Sequence, residues 1–201
     1  MRYYMLNKPK GLLTACSDGY KKTVMECFPE DEREGLFPIG RLDKDTVGLL
    51  IMTDDGKLCY SVANPTKKKT KTYVFYAKGT IDAQKIKLLE DGVYIGAADG
   101  GITAPAKAEH LGDTTLGEIS DLIDATDPKL RLTRKADVPV AKVKLTITEG
   151  KKHQVKRMAL AVGLRVVYLK RTEINGVKLD ESLAEGEYRP LTEEELSALR
   201  G

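Results

Sequence analysis

The 201-residue chain carries 33 Lys and Arg against 30 Asp and Glu, a formal net charge of +3 and 41 % apolar residues. That balance belongs to a soluble globular protein with one large domain or two small lobes, expected to be a monomer. The cysteines (Cys16, Cys27, Cys59) and histidines (His110, His153) lack the spacing of a disulfide framework or a zinc site, and no metal is expected.

The charged, proline-containing start is unlike a secretion signal. No segment approaches the roughly 20 apolar residues that cross a bilayer, so a membrane is excluded and the cytoplasm is the expected compartment. Residues 3–7 read as a strand running into the turn Lys8-Pro9-Lys10-Gly11, and residues 24–28 as a short helix. Residues 40–46 are polar and unpatterned, whereas 47–52 are an apolar run closed by Thr53-Asp54-Asp55-Gly56. A loop feeding a buried strand is expected there.

The lysine-rich link 67–71 opens a strand at 72–76, and a helix over 83–90 closes at Gly92. Residues 110–138 are the least regular, with a short helix at 116–124, and are read as an insertion on the surface. Alternation over 142–148 predicts a half-buried strand. Val155, Met158, Ala159 and Val162 then form one stripe of a helix over 151–162, leaving Lys152, Lys156 and Arg157 on its polar side or start. Residues 165–169 and 172–174 read as two strands, and Thr192 with Glu195 is a capping box. The organisation is mixed α+β, without internal repeats.

Three features carry chemistry: the loop carboxylate Asp43 beside Arg41, the strand tyrosine Tyr73 after a lysine run, and the basic segment 151–157. A loop Asp before a buried strand can be held rigidly at a cleft, or can simply form a turn. Asp45 lies two residues on, and capping of Thr46 or exposure to solvent is the expected role for it. Lys67, Lys68, Lys69 and Lys71 suit a phosphate backbone through counterion release, or a solvated face. Tyr73 shares a strand face with Phe75, which fits either core packing or base stacking.

Five segments in order, YYMLNKPKG (3–11), GRLDKDTVGLLIMTDDG (40–56), KTYVF (71–75), EGKKHQVKRM (149–158) and GEYRPLTEEEL (186–196), resemble those of the RsuA-type ribosomal pseudouridine synthases and their large-subunit relatives. The resemblance implies one catalytic domain over 1–201, with an α+β fold of two ferredoxin-like lobes near 1–64 and 65–201. Their mixed, largely antiparallel sheets would meet at a central cleft. It implies isomerisation of a uridine in ribosomal RNA to pseudouridine without a cofactor. Asp43 takes the place of the essential aspartate, and Arg41 that of the arginine entering the RNA stack where the nucleotide is flipped out. Tyr73 would stack on the flipped uracil, and Leu169 would pack against the base. Lys156 stands where many relatives have an arginine paired with the aspartate. Lys67, Lys68, Lys69, Lys71, Lys152 and Arg157 are the expected RNA contacts.

The HQVKR segment favours small-subunit over large-subunit rRNA. The family's usual N-terminal RNA-binding module is expected to be missing, the catalytic motifs beginning at residue 3. A noncatalytic RNA-binding or ribosome-assembly factor on the same fold is one rival, and a nucleoside or sugar hydrolase using Asp43 and Asp45 is the other.

Overall fold

The computed structural model describes residues 1–97, 100–123 and 136–201. They fall into two units, one formed by Met1–Thr72 with Lys170–Gly201 and the other by Tyr73–Leu169. The first unit is therefore discontinuous in sequence, where a sequential division near residue 64 was expected.

In the first unit the start of the chain forms β1 (Tyr3–Lys8), with residues 5–8 all buried. β2 (Phe37–Ile39) leads through the loop 40–46 into β3 (Val47–Thr53), every residue of which is buried. β3 is enclosed because both its edges are taken. β1 pairs antiparallel along its whole length, from Tyr3↔Thr53 to Lys8↔Gly48. On the other edge β2 covers Ile51–Thr53, and the last part of β7 (Arg165–Ile174) runs parallel beside Val47 and Gly48. A continuous apolar run is what a strand buried on both faces requires. The structure merges the two strands expected at 165–169 and 172–174 into this single β7.

Asn175 and Gly176, both at positive φ (47° and 84°), then turn the chain into β8 (Val177–Lys178), which folds back on β7. Both residues must be left-handed in the tight hairpin turn that matches strand twist, and Asn-Gly is the pair that tolerates it. β9 (Tyr188–Pro190) adds to the free edge of β1. Two helices, α1 (Gly56–Ala63) and α4 (Glu193–Arg200), cover one face around Met5, Leu49, Ile51, Leu58, Val62, Leu196 and Leu199. The capping box at Thr192 and Glu195 is present with both of its hydrogen bonds. Residues 24–27 form a 3-10 turn rather than an α-helix.

In the second unit the strand order is β5 (Lys107–Thr115), β6 (Pro139–Ile147), β4 (Lys71–Lys78), β7. β4 and β7 each contribute residues to both units. β6 alternates as predicted, with Val143, Leu145 and Ile147 buried. α2 (Ala83–Asp91) is capped by Asp82 and ends at Gly92, φ +97°. α3 (Gln154–Ala161) starts three residues later than expected, because His153 sits at φ +51° and 151–153 form a turn. Its buried stripe holds Val155, Met158 and Ala159, as the periodicity required.

The expected surface insertion at 110–138 is corrected in part. Residues 110–115 belong to β5, bulged between His110 and Gly112. Residues 116–122 are turns rather than a helix. Leu116, Ile119 and Ile123 pack with Val140, Tyr76 and Tyr168 in a core cluster. An exposed, bulged edge strand has no apolar alternation to read, which hid it in the sequence. The rest of that stretch, 124–135, lies outside the described residues.

Candidate active site

In the first unit the loop bearing Asp43 begins at Gly40, φ +70°, which lets the chain turn away from β2. Arg41 is exposed, Leu42 is buried and Asp43 is half-buried. The hydroxyl of Thr14 clasps Leu42 twice, donating to its carbonyl at 2.8 Å and accepting from its amide at 3.1 Å. The Thr46 amide donates to the Asp43 carbonyl (3.0 Å) and Gly11 to the Lys44 carbonyl (2.8 Å), closing a tight turn.

Beneath that turn lies Lys8, wholly inaccessible to solvent. Its ammonium donates to the carbonyls of Pro9 (3.0 Å), Lys44 (3.3 Å) and Thr46 (2.9 Å). Burial pulls its pKa from 10.5 down to about 8, against the pull of nearby negative groups, Asp45 foremost. Asp45 is itself exposed, as expected.

The floor of the loop is Gly48, paired with Lys8 on one side and with Arg171 on the other. Its φ is +100°, and a Cβ there would stand 2.3 Å from the Arg171 carbonyl oxygen, so the close approach of β7 requires glycine. Arg171, only 2 % exposed, donates from Nε to the Leu49 carbonyl at 2.8 Å. Lys8, Thr14, Gly48 and Arg171 were not singled out from the sequence. Three of them act on main-chain atoms, for which no side-chain pattern exists.

The lysine run lies in the same unit. Asn64 caps a 3-10 turn at Pro65–Lys67, and Lys68 closes it in the left-handed region, φ 47°. Lys67 and Lys68 are exposed, but Lys69 is buried and its carbonyl receives the Lys71 ammonium at 3.2 Å. Burial first, and the neighbouring Arg171 charge second, lower the Lys71 pKa.

In the second unit Tyr73 and Phe75 lie on the buried face of β4, and Leu169 is buried in β7. On α3 Lys156 and Arg157 are half-buried, while Lys152 just before the helix is exposed. The helix start is fixed by buried Gln154, which accepts from the Lys151 amide and donates to Glu149, both at 2.9 Å. Glu149 also accepts from the Ala104 amide (3.0 Å) and pairs with the Lys151 ammonium (3.2 Å). Burial works against the Glu149 charge, yet these donors outweigh it and hold its carboxyl below the usual range. Arg157 donates to the Ile95 carbonyl.

The first unit thus offers a half-buried carboxylate on a fixed loop, and the second an apolar-aromatic strand face and a basic helix start. A carboxylate can act as nucleophile or base, and an aromatic with cations can hold a base and its phosphate. Among the described residues no helix is long and apolar enough to cross a membrane.

Comparison with known proteins agrees with this inventory. The profile of the RNA pseudouridylate synthase family matches residues 2–161. An uncharacterized RNA pseudouridine synthase of Bacillus subtilis, YtzG, is 45 % identical over 199 residues, covering 98 % of this chain and 72 % of its own length. The ribosomal small subunit pseudouridine synthase A of Salmonella typhimurium is 37 % identical over 98 % of this chain and 74 % of its own. A crystal structure of a pseudouridylate synthase superposes with a TM-score of 0.79 at 36 % identity, covering 98 % of this chain and 73 % of that one. The archaeal Nop10-Cbf5 complex of a box H/ACA particle, at 16 % identity and a TM-score of 0.55, shares the fold. With the α+β architecture and the ordered motifs from Tyr3 to Met158 in place, the chain belongs to the RNA pseudouridine synthase family.

Proposed function

We propose that this enzyme isomerises one uridine of ribosomal RNA, in the small subunit, with Asp43 as its catalytic carboxylate. The observation that carries the proposal is the Asp43 loop, whose main chain is held by Lys8, Thr14 and Gly11 so that one carboxylate is presented half-buried. Relatives named as small-subunit pseudouridine synthases support the choice of RNA. The compartment is the cytoplasm and the active form a monomer.

In the reaction the bond between N1 of uracil and C1′ of ribose breaks, the base turns in place, and C5 joins C1′. The proton lost from C5 is balanced by one gained at N1, so the product is an isomer. Asp43 serves either by attacking the sugar or by deprotonating it. Arg41, exposed on the same loop, occupies the stack that the uridine leaves. Tyr73 stacks on the extruded uracil, Leu169 packs against it, and Lys156 supplies the cation that many relatives supply with an arginine. Exposed Lys67, Lys68 and Lys152 meet phosphates most directly, with half-buried Lys71 and Arg157 beside them, whereas Lys69, expected as a contact, is too buried to reach one.

The test is tritium release from RNA labelled at C5 of uridine, with small-subunit rRNA, large-subunit rRNA and tRNA offered separately. Release from small-subunit rRNA alone is expected. Release confined to tRNA, or from none of the three, contradicts the proposal.

A further inference from the structure

The second unit exposes an apolar pair that neither its core nor the roles above account for. Tyr94 is 62 % and Ile102 66 % exposed, and they face each other across a short antiparallel bridge. The described residues that present them are hydrogen-bonded to one another. Ile95 donates to the Gly101 carbonyl (2.9 Å), Thr103 to the Val93 carbonyl (2.9 Å), and Val93 to the Thr103 hydroxyl (3.0 Å). Residues 98–99 lie outside the described residues, and the surface is drawn from the described ones alone.

The hairpin is fastened to the basic helix start. The Lys151 ammonium donates to the Ile102 carbonyl at 3.2 Å, Arg157 to the Ile95 carbonyl, and Glu149 takes the amide of Ala104. Gly100 and Gly101 leave bare backbone between the aromatic ring and the ammonium. A Cβ on Gly101 would lie 3.9 Å from the Tyr94 ring, and one on Gly100 would lie 3.4 Å from Lys151 Nζ. Residues 150–169 carry five Lys or Arg and no Asp or Glu. The carboxylate touching Lys151, that of Glu149, is already engaged by Ala104 and Gln154.

An exposed ring on a hydrogen-bonded support, with cations beside it, has the chemistry of a stacking platform for unpaired nucleotides. A protein partner would be met by a larger apolar area with fewer cations. We propose that Tyr94 and Ile102, with the ammonium of Lys151, hold an unpaired nucleotide of the RNA other than the uridine that is isomerised. This rests on the RNA reading above and adds a second contact point to it.

The chain has no tryptophan, so a Tyr94→Trp variant carries a single indole reporter at this position. Its fluorescence is expected to be quenched on titration with a 12-nucleotide single-stranded RNA, but not with heparin, which offers negative charge without bases. In parallel, Tyr94→Ala is expected to bind the same RNA about tenfold more weakly, and Tyr94→Phe like the wild type. Unquenched fluorescence, or Tyr94→Ala binding within twofold of the wild type while the wild type binds RNA, overturns the platform and leaves the RNA reading standing. A wild type that binds neither this oligonucleotide nor rRNA overturns both.

Discussion

The loop at 40–46 and the stretch 149–153 leading into α3 are both irregular and hold charged residues, yet they are fixed by different means. In the loop the anchors grip main-chain atoms, with Lys8 on the carbonyls of Lys44 and Thr46 and Thr14 on both polar atoms of Leu42. In the basic segment the side chains also grip one another, with Gln154 and Glu149 locked together and Lys151 closing the pair, beside their bonds to the amides of Lys151 and Ala104. A loop held through its backbone tolerates changes of its own side chains but not of the residues beneath it. A segment held by side chains fails when one of its own residues is replaced.

The sharpest break between the two regions is expected at Gly48→Ala. The added methyl would meet the Arg171 carbonyl at 2.3 Å, in a conformation unfavourable to alanine. A loss of about 3 kcal/mol in urea unfolding is expected from overpacking and backbone strain, and an unchanged midpoint would show that β7 can move aside.

Lys8→Met removes the buried ammonium and leaves the carbonyls it served without a donor, at a cost of about 2 kcal/mol. Its pH dependence is the more telling part. The folded lysine releases its proton near pH 8 and the unfolded one near 10.5. Between those values the unfolded chain holds more protons, so Lys8 makes stability rise with pH across that window, and below it the buried charge weighs on the fold. The wild type should gain stability over Lys8→Met from about pH 8 to 10.5, and a constant difference between the two proteins would refute this.

Gln154→Ala should cost about 2 kcal/mol by leaving the half-buried Glu149 short of a donor. It should also weaken RNA binding, read by fluorescence anisotropy, because Lys151 and Lys152 lose their fixed start. Thr14→Val, which keeps the shape and removes the hydroxyl, should cost about 1 kcal/mol. If Thr14→Val proves more damaging than Gln154→Ala, the backbone of the loop depends on fewer anchors than the structure displays.

Legibility in the sequence divides along the same line. The strand β3, the stripe of α3, the alternation of β6 and the cap at Thr192 are side-chain patterns, and each was legible. The roles expected of Asp43, Arg41 and Lys156 came from motifs that resemble a family, and no pattern in their own segments pointed to them. Lys8 was read as part of a turn, since a lysine at the end of a strand gives no sign that its ammonium will be buried under a loop 36 residues away. Gly48 lay inside an apolar run, where only the approach of β7 reveals why it is glycine. Asn175-Gly176 was a hairpin signal in plain view, but it follows the short run 172–174 and no second run was read after it. Tyr94 carried no motif at all, because exposure is a property of the folded unit.

The central claim is that a backbone-anchored loop delivers the carboxylate on which the chemistry depends. Its most direct test is the single-turnover rate of Asp43→Asn at saturating rRNA, measured by tritium release beside its urea midpoint and its RNA affinity. A rate lower by about 10²–10⁴-fold or more is expected, with stability and affinity close to those of the wild type. A variant that folds, binds and still isomerises within a few fold of the wild-type rate would contradict it.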